Sequence, residues 1–263
     1  MIWKLGNFFE YFSVKYFFLI MEIFFHVIRY DNLQKYNLPY PEAVFDVEFY
    51  RMNPQPFVSL AQELWPGTSG IKPTLSHRFV RLLQDKNLLL RNYTQNIDGL
   101  EVLAGVSPDR LVECHGHFRS ASCVDCNTPY DGEICKNEIL EGSPPICNAC
   151  GGLVKPDIVF FGESLPSRFG QMIQPDLKAA DMLIVMGTSL KVAPVSLIPE
   201  IIDSDAPRLL MNRELVGDFC DGDENIKRDV WEEGDCDSSV LKFCDLLGWR
   251  QDLEDLDHVE NSS

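Results

Sequence analysis

The chain has 263 residues, of which 45% are hydrophobic and nine are cysteines. This length and apolar fraction suffice for one sizeable core and a small second module. The formal net charge of −17 argues against general nucleic-acid binding, which requires a cationic surface, and is compatible with docking of basic peptides. Four of the cysteines form two Cys-x-x-Cys pairs, and no cleavable signal sequence is evident, so we expect an intracellular, metal-binding protein and not a disulfide scaffold.

Residues 1–29 differ in composition from the remainder of the chain. They contain strongly apolar runs, such as the one from Tyr16 to Met21, but charged residues interrupt them. No run approaches the roughly 18–20 apolar residues that a spanning helix needs, and neither a secretory signal nor an Arg-rich transit peptide fits. Two interpretations stay open: a buried helix or peripheral anchor, or a segment foreign to the fold, such as a misjoined exon or an alternative start.

From Tyr30 onward, predicted helices alternate with predicted strands. Proline positions and apolar spacing predict helices over 32–40, 41–52, 56–64, 74–86 and 237–247. Short continuous apolar runs predict buried strands over 88–90, 154–161, 181–186 and 208–211. Residues 251–263 form an acidic tail that we expect to be disordered. The alternation predicts an α/β fold with a parallel sheet.

A candidate site follows the first predicted strand after Tyr30. The run Leu88-Leu89-Leu90 leads into polar Thr94 to Asp98, and His115 follows about one helix later. Ligands of open α/β sheets bind outside the carboxyl ends of the strands, so a carboxylate, amides and an imidazole could perform acid–base chemistry there. The alternative, open at this point, is that Asp98 caps a helix and His115 is a core histidine with satisfied partners.

Two later strands also end in polar residues. Gly187-Thr188-Ser189 follows one of them, and small residues there let backbone N–H groups and hydroxyls approach a phosphate or ribose. Asn212-Arg213-Glu214 follows the next, and a carboxylate at such a strand end can bind ribose hydroxyls. Each cluster alone is a common turn or loop sequence. Together, the three strand ends predict one nucleotide crevice.

Two pairs of cysteines have the spacing of a zinc site. Cys123 and Cys126 form the first pair, and Cys147 and Cys150 form the second. Four thiolates complete the tetrahedral coordination of zinc, so the ion would be structural; the alternative is a set of redox dithiols or free thiols. Four of the other five cysteines have no partner at ligand spacing and are predicted to be ordinary small hydrophobes: Cys114, Cys135, Cys220 and Cys244.

A series of motifs resembles the sirtuins, the NAD-dependent protein deacylases. TQNIDGL, ECHGHF, the two cysteine pairs, VKPDIVFFGESLP, MGTSL and LLMNRE occur in the sirtuin order, and YDNLQKYNLPYPEAVF resembles the sirtuin-2 branch. The resemblance runs from about residue 30 to residue 253. It implies a Rossmann-like parallel sheet with a smaller helical and zinc-ribbon module. The catalytic domain would be 30–250, with its helical part at 30–73, its Rossmann-like part at 74–118 and 155–250, its zinc ribbon at 119–154, and a tail at 251–263.

The resemblance also implies a reaction and a set of site residues. In sirtuins the acetyl-lysine oxygen attacks C1′ of the nicotinamide ribose, nicotinamide leaves, and the products are deacetylated lysine and O-acetyl-ADP-ribose. The catalytic residues would be His115 as the base, with Asn96 and Asp98. NAD would contact Gln95, Asn96, Ile97, Asp98, Gly187, Thr188, Ser189, Asn212, Arg213, Glu214 and Cys236. The acyl-lysine substrate would contact Val159, Phe160, Phe161, Gly162, Glu163, Leu190 and Val192.

The implied cofactors are NAD and one structural zinc ion. The implied partners are acetyl-lysine-containing proteins or peptides, with histone tails as one candidate. The resemblance implies no direct nucleic-acid or membrane binding, a cytoplasmic or nuclear location, and nothing about oligomeric state.

One part of the sirtuin pattern has no counterpart in this sequence. Sirtuins begin with a strand, a Gly-Ala-Gly phosphate loop and an Ile-Pro-Asp-Phe-Arg segment, whereas residues 1–29 contain Gly6 as their only glycine. We therefore expect the central strand and half of the cofactor site to be missing. This leaves an alternative function, a truncated and weak or silent sirtuin that binds peptides or partners. A zinc-ribbon adaptor is disfavoured, because the strand motifs are in order.

Overall fold

The computed structural model describes residues 17–21, 36, 38–67, 70–203, 205–220 and 228–260. Its strands are β1 (Phe17–Met21), β2 (Leu89–Thr94), β3 (Leu111–Glu113), β4 (Gly116–Cys123), β5 (Pro129–Tyr130), β6 (Val154–Ile158), β7 (Met182–Met186), β8 (Arg208–Asn212) and β9 (Asp229–Glu233). Its α-helices are α1 (Val47–Met52), α2 (Gln55–Leu64), α3 (Leu75–Asp85), α4 (Leu100–Leu103), α5 (Gly132–Leu140), α6 (Ser167–Ala179), α7 (Ile198–Ile201), α8 (Cys236–Leu247) and α9 (Arg250–Glu260). Short 3-10 turns cover Pro41–Phe45, Pro108–Arg110, Val195–Leu197 and Gly217–Phe219. Among the described residues, no helix has the length and apolar character needed to cross a bilayer.

The larger of the two sheets that the described residues form is parallel throughout, with the strand order β3-β2-β1-β7-β8-β9. Every residue of β7 and β8 is buried, as expected for strands covered on both faces. Phe79 of α3, Phe243 of α8 and Leu253 of α9 pack on one face of the sheet. Leu177 of α6 and Ile198 of α7 pack on the other. The predicted α/β class with a parallel sheet is confirmed.

Strand β1 fills the central position of this sheet, so the expectation of a missing central strand is wrong. Leu19 lies opposite Asn92 of β2 and Ile184 of β7, in parallel pairing on both sides. A central strand pairs with neighbours on both sides and therefore needs an apolar, strand-forming sequence. The sequence Phe-Phe-Leu-Ile-Met has this character, although it contains no family motif. The helix interpretation is wrong for these five residues. The rest of 1–29 lies outside the described residues, and the foreign origin of the segment stays a prediction.

The smaller module combines a three-stranded sheet with helices α1, α2 and α5. Its strand order is β5-β4-β6, and both pairings are antiparallel. The predicted strand over 154–161 therefore ends at Ile158 and belongs to the small sheet, not to the parallel one. Strand β4 leads into the first cysteine pair. After the second cysteine pair the chain runs back antiparallel to β4 as β6, so that Val154 lies opposite Cys123.

The helices before β2 agree with the prediction except at one break. Helices α2 and α3 match the predicted 56–64 and 74–86. The predicted helix over 41–52 is divided at Asp46, which is extended, pairs with Phe161 and accepts a hydrogen bond from the Phe49 N–H at 2.9 Å to cap α1. The predicted helix over 32–40 lies mostly outside the described residues.

The acidic C-terminal segment is a helix, so the prediction of disorder is wrong for residues up to 260. Leu253 of α9 is fully buried and Leu256 packs beside it, one helical turn further on. Lys86 at the end of α3 forms an ion pair with Asp252. Two leucines on one helical face are enough to dock α9 against α3 and α8 despite its many carboxylates.

Candidate active site

The polar segments that follow three strands meet at one edge of the parallel sheet. Met21 of β1 lies level with Thr94 of β2 and Met186 of β7, so all three strands end together. The Gln95 amide donates to Thr188 Oγ1 at 3.4 Å, and the Asn212 amide donates to the Thr188 carbonyl at 3.1 Å. The three predicted clusters are thus joined through Thr188, which is 2% exposed.

His115 follows β3 and reaches the same edge. Its Nδ1 lies 3.0 Å from the carbonyl oxygen of Gln95. Because a carbonyl can only accept, Nδ1 carries the hydrogen and Nε2 keeps its lone pair. Burial lowers the pKa of His115, so its imidazole is neutral near pH 7. The alternative of a core histidine with satisfied partners holds for Nδ1, which is hydrogen-bonded. It does not hold for the whole side chain, which borders a cavity.

This cavity has a volume of about 200 Å³ and a mostly apolar wall. Its lining residues are Phe45, Gln95, Ile97, His115, Ile158, Val159, Phe160, Phe161, Gly162, Glu163, Leu165, Val192 and Ala193. Six of the seven predicted substrate residues are among them, the exception being Leu190. Of the predicted NAD residues, only Gln95 and Ile97 reach this cavity.

The wall of the cavity is held by backbone hydrogen bonds to both modules. The Val159 N–H donates to the His115 carbonyl at 2.8 Å. The Phe161 N–H donates to the Phe45 carbonyl at 2.7 Å. Phe160 is 1% exposed and packs edge-on against Phe57 in the helical module, with ring centroids 4.9 Å apart. The cavity therefore lies where the sheet edge meets the smaller module.

Asn96 and Asp98 lie at the sheet edge, outside the lining of this cavity. Asp98 precedes Gly99, the N-cap of α4, and accepts a hydrogen bond from the Leu100 N–H at 2.9 Å. Burial raises the pKa of Asp98 to about 6. Burial, reinforced by the nearby Asp98, raises the pKa of the fully buried Glu101 to about 8. One carboxylate oxygen from each of Asp98 and Glu101 and one ring nitrogen of His77 all lie within 4.8 Å of one another. The sequence did not predict that His77 and Glu101 lie at this site.

The residues predicted to contact adenosine surround the carboxyl end of β8. Asn212 is buried and donates to the Glu214 carbonyl at 2.8 Å, while the side chains of Arg213 and Glu214 are exposed. Cys236 begins α8, and its Sγ lies 3.6 Å from the Met211 carbonyl oxygen. These residues share one end of the sheet with Thr188 and His115.

The four predicted zinc ligands are gathered in one cluster. The Sγ atoms of Cys123 and Cys150 are 3.5 Å apart, those of Cys126 and Cys147 are 3.7 Å apart, and all four lie within 4.8 Å of one another. Tetrahedral zinc with bonds of about 2.3 Å requires sulfur separations of about 3.8 Å. Backbone N–H groups of Asp125, Ala149 and Gly152 approach three of the sulfurs at 3.4 Å, which favours thiolates. The set fits one fully coordinated structural zinc ion.

The cysteines without ligand spacing divide into two groups. Cys114, Cys135 and Cys244 are buried, which confirms the prediction for them. Cys220 is exposed, so it does not pack in the core as an apolar side chain would. It follows the 3-10 turn Gly217–Phe219, where only Phe219 of the turn is buried.

Comparison with known proteins shows the family. A sequence model of the Sir2 family matches residues 28–194. The NAD-dependent protein deacetylase hst2 of Schizosaccharomyces pombe is 49% identical over 227 residues, which cover 86% of this chain and 67% of the relative. The NAD-dependent protein deacetylase sirtuin-3 of Mus musculus is 48% identical over 227 residues, covering 86% and 66%. The NAD-dependent protein deacetylase sirtuin-2 of Danio rerio is 45% identical over 244 residues, covering 86% and 63%.

The chain belongs to the Sir2 family, the sirtuins, which confirms the resemblance inferred from its motifs. It spans about two thirds of the length of these relatives. Strand β1 lies before the first residue that the family model matches, so the centre of the sheet is formed by sequence outside the family match.

Proposed function

We propose that the chain is an NAD-dependent protein-lysine deacetylase that releases nicotinamide and O-acetyl-ADP-ribose. The observation that carries the proposal is the position of His115, a neutral imidazole that borders an apolar cavity at the edge where three polar strand ends meet. The similar proteins from fission yeast, mouse and zebrafish are named NAD-dependent protein deacetylases.

The donor set at the sheet edge fits a dinucleotide. Gln95, Asn96, Ile97 and Asp98 would hold the nicotinamide end, and Gly187, Thr188 and Ser189 would contact phosphate and ribose. Asn212, Arg213, Glu214 and Cys236 would contact the adenosine end. When bound, NAD supplies an electrophilic ribose carbon with nicotinamide as its leaving group. The exposed carboxylate of Glu214 and the small residues before Leu190 suit ribose and phosphate oxygens, respectively.

The apolar cavity supports an acylated lysine as the substrate group. Val159, Phe160, Phe161 and Val192 would surround the aliphatic stem, because acylation removes the charge that would otherwise oppose burial. Gly162, Glu163 and Leu190 would flank the substrate backbone as an added strand. The net charge of −17 favours peptides that carry basic residues.

His115 would act as the general base. Its Nδ1–H is fixed on the Gln95 carbonyl, so Nε2 is the atom that takes the proton. Asn96 and Asp98 would orient the reacting groups from the adjoining strand end. The lowered pKa of His115 keeps the base free of its proton at neutral pH.

The zinc ion, the partners and the domain limits belong to the same proposal. The cysteine cluster would hold one structural zinc that stabilises the small sheet. Acetylated proteins, with histone tails as one candidate, would be the partners, in the cytoplasm or the nucleus. The domain limits remain a proposal, with the Rossmann-like part extended to include β1 and the zinc ribbon extended to residues 116–158, because β4 and β6 belong to the small sheet.

A peptide assay tests the proposal. The zinc-loaded chain is incubated with NAD and an acetyl-lysine peptide, and mass spectrometry follows the peptide and nicotinamide. We expect nicotinamide release that requires the acetyl group and falls by roughly 100-fold or more in His115→Ala. Lys178→Met, at an exposed position of α6, is the control and should match the wild type. A folded wild-type chain that leaves the peptide acetylated would overturn the proposal.

A further inference from the structure

Lys155 is a buried cation at the start of the segment that forms the cavity wall. It lies in β6 and is 5% exposed. Its Nζ donates to the Ile158 carbonyl at 2.7 Å and forms an ion pair with Glu163 at 2.9 Å. The same nitrogen lies 4.6 Å from the ring centroid of Phe160. A carbonyl, a carboxylate and an aromatic face therefore surround the ammonium group.

Glu163 closes the other end of the same segment. Its carboxylate accepts a hydrogen bond from the Phe160 N–H at 2.7 Å, and its own N–H donates to the Phe160 carbonyl at 3.0 Å. Gly162 has φ +92°, a conformation that lets the chain reverse before Glu163. Residues 158–163 thus form a bend, which we call the wall bend. Lys155 Nζ links its two ends, because it contacts both the Ile158 carbonyl and the Glu163 carboxylate.

The wall bend connects the substrate cavity to the candidate base. Every residue of the bend lines the cavity. Within it, the Val159 N–H donates to the His115 carbonyl at 2.8 Å. A change in the shape of the bend would therefore alter the apolar wall and would also strain the backbone of His115.

The burial of Lys155 explains why neither charge of the ion pair can be lost without effect. Lys155 has almost no contact with water, so removal of the Glu163 charge leaves an ammonium group with only carbonyls and a ring face as neighbours. Removal of the Lys155 charge leaves Glu163 free to turn toward water and to release the Phe160 N–H. Either loss allows the bend to relax.

We propose that Lys155 and Glu163 are positioning residues for the acylated lysine. Their ion pair holds the wall bend in the shape that admits the substrate, and the Glu163 side chain acts through the bend while its backbone flanks the peptide. The inference rests on the proposed function, because it takes the cavity to be the acyl-lysine site. The pair acts on the peptide side of the reaction and leaves the NAD side unchanged.

The test compares charge-removing and charge-keeping variants. Lys155→Met and Glu163→Gln remove one charge each, Lys155→Arg keeps the charge, and Lys178→Met, at an exposed position of α6, is the matched control. We expect Lys155→Met and Glu163→Gln to raise the KM for an acetyl peptide by roughly ten-fold while the KM for NAD stays within about two-fold. Lys155→Arg should recover most of the affinity, and Lys178→Met should match the wild type.

Thermal unfolding shows whether each variant is folded. If Lys155→Met is not folded, the comparison uses Glu163→Gln alone. Anisotropy of a fluorescent acetyl peptide measures binding without turnover, which separates this inference from the proposed function. Weaker binding in the charge-removing variants supports the pair even if no variant releases nicotinamide. Wild-type peptide binding in a folded Lys155→Met or Glu163→Gln, equal increases in both KM values, or no peptide binding by the wild type would overturn the inference.

Discussion

Replacing Leu19 with proline tests whether residues 17–21 occupy the centre of the sheet. Leu19 is paired on both sides, opposite Asn92 of β2 and Ile184 of β7. Proline removes one N–H from the ladder whichever neighbour it faces, and leaves a buried carbonyl without its donor. The lost hydrogen bond costs about 1 kcal/mol and the unsatisfied carbonyl about 1–3 kcal/mol, so we expect a loss of roughly 2–4 kcal/mol before any steric strain.

Urea unfolding, followed by tryptophan fluorescence and circular dichroism, measures this loss. Leu19→Ile is the matched control, because it keeps the backbone N–H and suits a strand. For a domain whose total stability is about 5–15 kcal/mol, a loss of this size moves the unfolding midpoint clearly. Equal midpoints for Leu19→Pro and Leu19→Ile would refute the placement of β1 between β2 and β7.

Three further predictions concern the zinc cluster, the buried carboxylate and the candidate base. Cys147→Ser should lower the zinc content from one ion per chain to nearly none, whereas Cys220→Ser should keep it; unchanged zinc in Cys147→Ser would contradict the four-thiolate site. Because the folded chain holds a proton on Glu101 that the unfolded chain has lost, stability should fall as the pH rises from about 4.5 to about 8. Between about pH 5.5 and 8.5, the free energy of unfolding of Glu101→Gln should therefore rise by roughly 3 kcal/mol relative to that of the wild type. Parallel curves of unfolding free energy against pH for the two chains would contradict the raised pKa. Because burial lowers the pKa of His115, kcat/KM for the acetyl peptide should fall with acidification only below pH 6.5, and an acid limb at or above 6.5 would contradict its role as base.

Much of the fold could be predicted where the local pattern and the tertiary environment agree. The runs at Met182–Met186 and Arg208–Asn212 are buried at every position, and a continuous apolar run is typical of such strands. The zinc ligands could be predicted because two Cys-x-x-Cys pairs leave few other arrangements. The order of polar strand ends predicted the gathering of Gln95, Thr188 and Asn212, because parallel strands bring their carboxyl ends to one edge.

Other features depend on contacts that the sequence does not display. Strand β1 could not be placed, because a central position accepts any apolar strand, and the expectation relied on a motif that residues 17–21 lack. Strand β4 has polar side chains at its partly buried and exposed positions, so its apolar signal is weak. The sequence of α9 is acidic and predicts a disordered tail, because it does not show that Leu253 is buried against the rest of the fold. Glu101 and His77 are charged or polar in sequence, and only the packing of α3 against α4 reveals their burial.

Calorimetric titration of the zinc-loaded chain with NAD, with and without an acetyl-lysine peptide, tests the deacetylase proposal most directly. We expect saturable binding of NAD that becomes tighter when the peptide is present, since the polar strand ends and the cavity lie at one sheet edge. The His115→Ala chain should still bind NAD, because that substitution removes the base and leaves the strand ends in place. Absence of NAD binding by a sample shown to be folded and to contain one zinc ion would contradict the deacetylase proposal for this chain.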